Sequence, residues 1–136
     1  MSGPPVFISH YKVKEGKLDA MKQFAQAMTE HIQVEKPGTV AFLQYLNAEG
    51  TEQTIIHVFP DADAFDRHGE GVAERARAGF EFIEPISREI YGMPSDKALA
   101  MMQLRPPGAP EVEFHHMPQH MGGYIRFNSE WFRKSE

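Results

Sequence analysis

The sequence predicts an α+β fold in which four strands and two helices follow one another as βαββαβ, the split βαβ arrangement. Short runs rich in β-branched and aromatic residues predict the strands, and two longer segments with apolar residues three or four apart predict the helices. A chain of 136 residues, 41% of them hydrophobic, suits one domain with a buried core. We therefore expect a single domain spanning residues 1–136.

The first half of the pattern is a strand, a helix and a hairpin. Residues 6–13 (VFISHYKV) have the composition of a strand. Apolar residues then recur at helical spacing until Pro37 and Gly38 end the helix. Residues 39–47 and 54–59 predict two further strands, which the short loop AEGTEQ joins into a hairpin.

The second half is predicted to be one long helix, a fourth strand and an extension. Asp61 suits the N-cap of the helix, and Pro85 is expected to end it. The segment GEG (69–71) is unusual inside a helix, because each glycine costs about 1 kcal/mol there, and it indicates a kink or a close approach to a ligand. Residues 86–92 predict the fourth strand. Beyond the 6–93 core, residues 94–136 predict a C-terminal helix (PSDKALAMMQL) and an extended arm.

The strands are apolar on both faces, which indicates that both faces of the sheet are covered. In the second strand Phe42 and Leu46 point to one side, while Leu43 and Tyr45 point to the other. A βαββαβ unit places both helices on one face, so something else must cover the second face. The extension can cover part of it, and a second copy of the sheet is the economical cover for the rest. We therefore expect a homodimer.

Composition argues against several classes of protein. The net charge is −5 and no basic stripe is present, so no nucleic-acid partner is expected. The chain has no cysteine, which excludes disulfides, thiolate nucleophiles and thiolate metal ligands. No apolar run approaches the roughly 20 residues of a membrane span, and the first residues do not resemble a signal peptide. We expect a soluble, cytoplasmic protein with no membrane partner.

Three segments together resemble a known family. VKEGK after the first strand, EKPGTVAF before the second and PDADAFDRH after the third are similar to the antibiotic biosynthesis monooxygenase superfamily over about residues 6–93. The resemblance implies a ferredoxin-like fold with an antiparallel sheet, paired into a dimeric α/β barrel. The family includes cofactor-free oxygenases acting on quinols and polyketide phenols, haem-degrading members, and members without known activity.

This sequence departs from the family pattern at several positions. Many members carry a tryptophan where this chain has Phe59, and many have a glutamate where it has His57. Haem-degrading members resemble one another in a first-strand asparagine, an indole and a helix histidine. Here the first-strand position is Ser9 and the indole is absent, which weighs against haem degradation. The helix histidine, His68, is retained.

The leading hypothesis is a cofactor-independent monooxygenase that oxidises a quinol or polycyclic phenol-type molecule. Such an enzyme needs a base, a group that holds the resulting anion, and a dry pocket. His57 and His68 are the catalytic candidates, and His10, Phe59 and Tyr91 are the substrate-binding candidates. The cavity is expected between sheet and helices, lined by His57, Phe59 and His68, with Tyr91 as a further candidate. No cofactor and no metal is expected.

Each candidate also has a structural explanation. Buried histidines often only satisfy a backbone carbonyl, and surface histidines often do nothing specific. Four arginines, Arg67, Arg75, Arg77 and Arg88, could hold an anionic substrate, although such charges more often form a solvated helix face. The alternative function is a non-catalytic dimeric module of the same fold that binds a small ligand.

The segment EFHHMPQHMGGY (113–124) raises a third hypothesis, a metalloprotein. Adjacent histidines on a strand point to opposite sides, so His115 and His116 cannot readily bind one ion together. Pro118 prevents a helical pair with His120. The simpler explanation is an arm that packs over the edge of the barrel, anchored by its aromatic residues Phe114, Tyr124, Phe127 and Trp131.

Overall fold

The computed structural model describes residues 3–103 and 111–126, and within them a five-stranded sheet carries four helices. The strands are β1 (Val6–Val13), β2 (Ala41–Leu46), β3 (Glu52–Val58), β4 (Ile83–Tyr91) and β5 (Glu113–Met117). The helices are α1 (Leu18–Glu35), α2 (Ala62–Gly69), α3 (Val72–Gly79) and α4 (Asp96–Gln103). The order β2-β3-β1-β4-β5 contains the predicted βαββαβ unit, so the predicted α+β, ferredoxin-like fold is confirmed.

The sheet is antiparallel except at one edge. β1 pairs with β3 and β4, and β2 pairs with β3, all antiparallel, whereas β5 adds to β4 in parallel. The C-terminal extension thus continues the sheet through β5. No helix among the described residues is both long and apolar enough to cross a membrane.

The two faces of the sheet differ in cover. The helix-covered face carries the core, in which Phe59 and Ile90 are fully buried with Ala64 and Phe65 of α2. The opposite face, called the open face below, leaves Leu43 45% and Tyr45 57% exposed. The prediction that both faces are apolar is therefore confirmed for β2.

The predicted single helix after β3 is wrong, because it is two helices that meet at Gly71. Asp61 caps α2 as expected, accepting a hydrogen bond from the Ala64 amide at 2.8 Å. The chain then leaves the helical conformation at Glu70, and Gly71 adopts a left-handed φ of 79° before α3 begins. This φ is costly for any residue with a Cβ. The GEG segment is therefore a break between helices.

The fourth strand is longer than predicted, and Pro85 belongs to it. Pro85 pairs with Tyr11 where the β1–β4 register shifts, so it does not end a helix. A proline is tolerated at a bulge, where its missing N–H interrupts no ladder hydrogen bond. β5 pairs with β4 only from Ser87 onward, which leaves the edge beside Pro85 free of that strand.

Replacing Gly71 by alanine should lower the free energy of unfolding by about 1–2 kcal/mol, because the left-handed conformation is strained for alanine. The added Cβ would also lie 3.2 Å from an Arg75 guanidinium nitrogen. Urea denaturation measures the change. The matched control is Gly69→Ala, since a Cβ at Gly69 meets no atom within 4 Å. Equal stability of both variants would contradict the assignment of the break to Gly71.

Candidate active site

Two histidines meet on the helix-covered face of the sheet. His57 comes from β3 and His68 from the last turn of α2, and their ring centroids lie 5.0 Å apart with the planes at 80°. Both side chains are buried, as is Phe59, whose ring centroid lies 5.2 Å from that of His68. The fold therefore brings together three of the residues that the sequence singled out.

Aromatic rings surround this histidine pair. Phe7 of β1 stacks on His57 with centroids 4.8 Å apart and an interplanar angle of 19°. Phe42 of β2 presents its edge to His57 at 5.2 Å. Cross-strand pairing explains the arrangement, because Phe7 and Phe42 are both the direct partners of His57 in the sheet. We call Phe7, Phe42 and Phe59 the aromatic cage.

Hydrogen bonds define how the two rings can carry protons. The Nδ1 atom of His57 lies 3.0 Å from the carbonyl oxygen of Phe7. A carbonyl only accepts, so Nδ1 carries the hydrogen and the neutral ring has its lone pair on Nε2. The Nδ1 atom of His68 lies 2.7 Å from the Thr39 hydroxyl, which can donate or accept. The tautomer, that is, the ring nitrogen that carries the hydrogen, is therefore definite for His57 and open for His68.

Burial keeps both histidines neutral at pH 7. Loss of hydration lowers the pKa of His57 to about 4, against the opposing effect of the Phe7 hydrogen bond, and the positive charge of Arg75 lowers it further. Burial is also the largest cause for His68, whose pKa falls to about 3, with added contributions from His57, Arg75 and Lys36. Each ring is therefore neutral at that pH and keeps one nitrogen unprotonated.

Two cations hold the end of α2 beside the pair. Arg75 donates from Nη2 to the carbonyl of His68 at 2.5 Å and from Nη1 to that of Glu70 at 2.7 Å. Lys36 donates to the carbonyls of Arg67 at 2.7 Å and Glu70 at 3.0 Å. Positive groups are favourable at a helix C-terminus, where carbonyls lack helical partners. The turn at Gly71 is what brings Arg75 back to this end.

Arg75 is distinguished from the other arginines by its position. Its guanidinium is partly buried, which lowers its pKa, but an arginine side chain remains charged in proteins. Arg67 and Arg77 are exposed, and Arg88 lies 3.5 Å from the carbonyl of Met102. From the sequence alone, Arg75 could not be distinguished from the other three arginines, because the helix break that positions it was not predicted.

Two buried side-chain oxygens on the helix-covered face have no hydrogen-bond partner among the described residues. They are the Ser9 hydroxyl and the Gln53 side-chain carbonyl. Ser9 is 1% and Gln53 4% exposed. The residues lie diagonally across the β1–β3 pair, since Ser9 pairs with Ile55 and Gln53 with Tyr11. Buried polar atoms normally have a partner, so both oxygens are available to a bound molecule or a water.

His10 and Tyr91 lie on the open face, so they do not join the histidine pair. Strand alternation explains this, because Ile90 pairs with Phe7 on the helix-covered face and Tyr91 follows it. The expectation that Tyr91 lines one cavity with His57 and His68 is therefore wrong. His10 is partly exposed, as its alternation with Ile8 and Lys12 predicted.

Glu89, which the sequence did not reveal, connects the two open-face residues. Its Oε2 lies 2.5 Å from Nε2 of His10, and its Oε1 accepts a 2.5 Å hydrogen bond from the Tyr91 hydroxyl. The hydrogen bond from Tyr91 lowers the pKa of Glu89 most, and that from His10 lowers it further. The same carboxylate raises the pKa of Tyr91. Because a carboxylate only accepts, Nε2 of His10 carries a hydrogen, and Nδ1 faces the Thr54 hydroxyl at 2.9 Å.

The three C-terminal histidines point in different directions. His115 lies 3.8 Å from the Glu113 carboxylate on the open side of β5, whereas Nε2 of His116 lies 3.0 Å from the carbonyl of Gly92. His120 lies beside Gly3. In the described part of the chain, no three His, Cys, Asp or Glu side chains gather closely enough to hold a metal ion. Of the predicted aromatic anchors, Phe127 and Trp131 lie outside the described residues, and Tyr124 is 81% exposed.

Solved structures with similar folds include oxygenases, although identities are low. MupZ from Pseudomonas fluorescens has a TM-score of 0.67 at 19% identity, covering 89% of this chain and 95% of MupZ. SnoaB, a cofactor-independent oxygenase from Streptomyces nogalater solved as a mutant, has a TM-score of 0.56 at 19% identity, covering 68% of this chain and 95% of SnoaB. A candidate antibiotic biosynthesis monooxygenase from Bacteroides thetaiotaomicron has a TM-score of 0.55 at 13% identity, covering 69% of this chain and 90% of that protein.

These similarities confirm the resemblance to the antibiotic biosynthesis monooxygenases at the level of the fold. The match to MupZ extends beyond the 6–93 core, whereas the other two cover about two thirds of the chain. By sequence, no family model and no curated protein matches this chain.

Proposed function

We propose that the protein is a cofactor-independent monooxygenase that oxidises a quinol or polycyclic phenol-type molecule, with His57 as the base. The proposal rests on the geometry of His57. Its neutral ring is hydrogen-bonded through Nδ1 to the Phe7 carbonyl, is unprotonated at Nε2, and lies inside the aromatic cage. SnoaB, which has a similar fold, is a cofactor-independent oxygenase, and that likeness supports the reaction class for this chain.

The proposed reaction begins when the base removes the hydroxyl proton of the substrate. A phenolate gives up an electron to dioxygen far more readily than a neutral phenol does. One oxygen atom then replaces a ring hydrogen next to or opposite the hydroxyl and the other leaves as water, so a phenol and one dioxygen become a quinone and one water, and a quinol becomes a hydroxyquinone in the same way. The substrate supplies all four electrons, so no separate reductant takes part.

The low pKa of His57 makes this proton transfer costly before the anion is stabilised. A phenol with a pKa near 10 exceeds the value of about 4 for His57 by about six pKa units, or ~8 kcal/mol. The phenolate and imidazolium form side by side in a dry site, where their attraction offsets part of this cost. The positive charge of Arg75 lies close enough to affect both histidines and favours the anion further.

The remaining site residues have supporting roles in this proposal. His68 lies edge-on to His57 and acts as a second proton acceptor held by Thr39. Phe59 binds the substrate as an apolar wall beside both rings. The Ser9 hydroxyl and the Gln53 carbonyl, both buried without a partner among the described residues, are available to hydroxyl groups of a polycyclic substrate.

Oxygen uptake tests the proposal directly. Protein purified without an affinity tag, and shown by absorbance and metal analysis to contain no flavin, haem or transition metal, should accelerate oxygen consumption by at least one member of a panel of quinols and polycyclic phenols. Product mass should increase by one oxygen atom and decrease by two hydrogens. If the whole panel shows only the uncatalysed rate, the fold serves ligand binding without catalysis.

We also propose a homodimer formed through the open face, because Leu43 and Tyr45 are exposed there while the helices cover the other face. Light scattering at micromolar concentration should give about twice 15.5 kDa. Leu43→Lys should halve that mass, since it places a charge in the contact. The matched control is Val34→Lys on α1, where the side chain is 73% exposed, and its mass should be unchanged. A wild-type mass of one chain would contradict the dimer.

A further inference from the structure

An opening in the helix-covered face lies between the histidine pair and Gln53. The side chains of Gln53, Ile55 and His57 follow one another on that face of β3, since side chains alternate along a strand. Gln53 and His57 are buried, whereas Ile55 between them is only half-buried. Phe7 and Phe42, the direct partners of His57, are half-buried as well. A helix layer packed closely on the sheet would bury all of these side chains, so solvent reaches the layer at Ile55 and a ligand can enter there.

The two buried oxygens without a partner among the described residues lie beside this opening. Ser9 is the direct partner of Ile55 across the β1–β3 pair, and Gln53 is the next residue of β3 on the same face. Diagonal neighbours of this kind lie about 7–8 Å apart. The Ser9 hydroxyl and the Gln53 carbonyl do not bond to each other. One further oxygen atom between them can accept a hydrogen bond from Ser9 and donate one to Gln53.

A chain of hydrogen bonds from α1 determines which atom of Gln53 is free. The amide nitrogen of Gln44 donates to the main-chain carbonyl of Ala25 at 2.7 Å and to the Thr29 hydroxyl at 2.8 Å. A main-chain carbonyl only accepts, so this end of Gln44 is the nitrogen and its oxygen faces Gln53. The Gln53 nitrogen donates to that oxygen at 2.7 Å. The free atom of Gln53 is therefore its oxygen, and only a hydrogen-bond donor can pair with it.

The spacing along the strands sets the size of a ligand that reaches both His57 and this pair. His57 lies four residues from Gln53 and two residues from Ile55, the partner of Ser9. At about 3.3 Å per residue, a group held between Ser9 and Gln53 is about 10 Å from His57 along the sheet. The two hydroxyls of a single benzene ring are closer together than this, whereas two or three fused rings can span it.

We propose that Ser9 and Gln53 select the substrate by holding a second hydroxyl of a polycyclic phenol, at the far end of the ring system from the hydroxyl that His57 deprotonates. The second hydroxyl accepts from Ser9 and donates to Gln53, so it keeps its hydrogen while the first is ionised. This role rests on the proposed function, in which His57 removes the proton of the first hydroxyl. Quinols of a single ring reach only one of the two ends and should bind weakly.

Two probes test the pair on the full chain: 2,6-dihydroxynaphthalene, and 6-methoxy-2-naphthol, in which one hydroxyl cannot donate. Calorimetry without dioxygen measures binding and excludes turnover. Wild type should bind the diol about fivefold more tightly, the value of one net hydrogen bond. Gln53→Met should remove most of this preference, because methionine has nearly the same length and no carbonyl. An undiminished preference in Gln53→Met, or no binding of the diol to wild type, would overturn the proposal.

Ser9→Ala provides a second test that does not depend on the fold tolerating Gln53→Met. It should weaken both probes about fivefold, since either oxygen can accept from Ser9. Its melting temperature should not fall, because the hydroxyl has no partner among the described residues. The matched control is Ser87→Ala on the open face of β4, whose affinities should equal those of wild type. Unchanged affinities in Ser9→Ala with a lower melting temperature would show a purely structural role and overturn the proposal.

These binding measurements separate the pair from the oxygenase activity. A preference for the diol that Gln53→Met removes would support the role of the pair even if the oxygen-uptake screen showed no turnover, and only the proposed activity would then fail. Turnover of a panel member without any such preference would overturn the role of Ser9 and Gln53 and leave the proposed activity standing.

Discussion

At pH 5 the wild-type protein should lose about 2 kcal/mol more of its pH 7.5 stability than a His57→Gln variant does. His57 has a pKa of about 4 when folded and about 6.5 when unfolded. As the pH falls from 6.5 towards 4, the unfolded chain takes up a proton that the folded chain rejects, so acid favours unfolding. The stability of the neutral ring is therefore fully present above pH 6.5 and is lost as the pH falls through that window.

Glutamine is chosen because it does not titrate and can still donate to the Phe7 carbonyl. Urea denaturation at pH 7.5 and pH 5 gives the loss in the free energy of unfolding for each protein. Any pH-independent cost of the substitution cancels when the two pH values are subtracted. Glu89, whose pKa is lowered, also contributes to acid sensitivity, but equally in both proteins. The matched control is His31→Gln, which replaces an exposed histidine on α1 and should leave the loss unchanged. Equal losses in wild type and His57→Gln would contradict a buried, neutral His57.

On any substrate that the uptake screen identifies, His57→Gln should reduce kcat/KM by tenfold or more. General-base catalysis by one positioned side chain contributes about 10²–10⁴-fold, and glutamine cannot accept the proton. His68→Gln should have a smaller effect if His68 only assists the pair. His31→Gln is again the control and should match wild type.

The pH profile of kcat/KM separates a base from a structural residue. In wild type the rate should fall only as the pH drops towards about 4, because His57 stays unprotonated above that value. If His57 merely supported the fold, His57→Gln would lower kcat/KM without shifting the pH at which kcat/KM falls. A fall centred near 6.5 in the wild-type profile would show that an ordinary, solvated histidine is the base.

The order of the strands was predictable from the sequence because the apolar patterns of β1, β2 and β3 are short, clear and bounded by turn residues. The helix break was harder to predict, because the apolar spacing from Phe65 to Ile83 continues through it. The extended conformation of Glu70 and the left-handed φ of Gly71 divide that pattern. Local conformation at two residues thus overrides a periodicity extending over some twenty residues.

The candidate site was predictable in part. His57 of β3 and Phe59, just after β3, point to the same side by simple alternation. His68 lies on the apolar face of its helix, so the three meet when that face packs on the sheet. The placing of Tyr91 failed because it depends on the register of β4 against β1. The same register brings Glu89 to His10, so no pattern in the sequence indicates that contact.

The proposed chemistry requires that His57 present an unprotonated Nε2 inside the aromatic cage at neutral pH. Long-range ¹H–¹⁵N correlation spectra of the imidazole rings, recorded from pH 8 to pH 4 and assigned with His57→Gln, measure this directly. We expect a neutral His57 with its hydrogen on Nδ1, titrating only near pH 4. A His57 that titrates near 6.5, or a neutral ring with its hydrogen on Nε2, would contradict it.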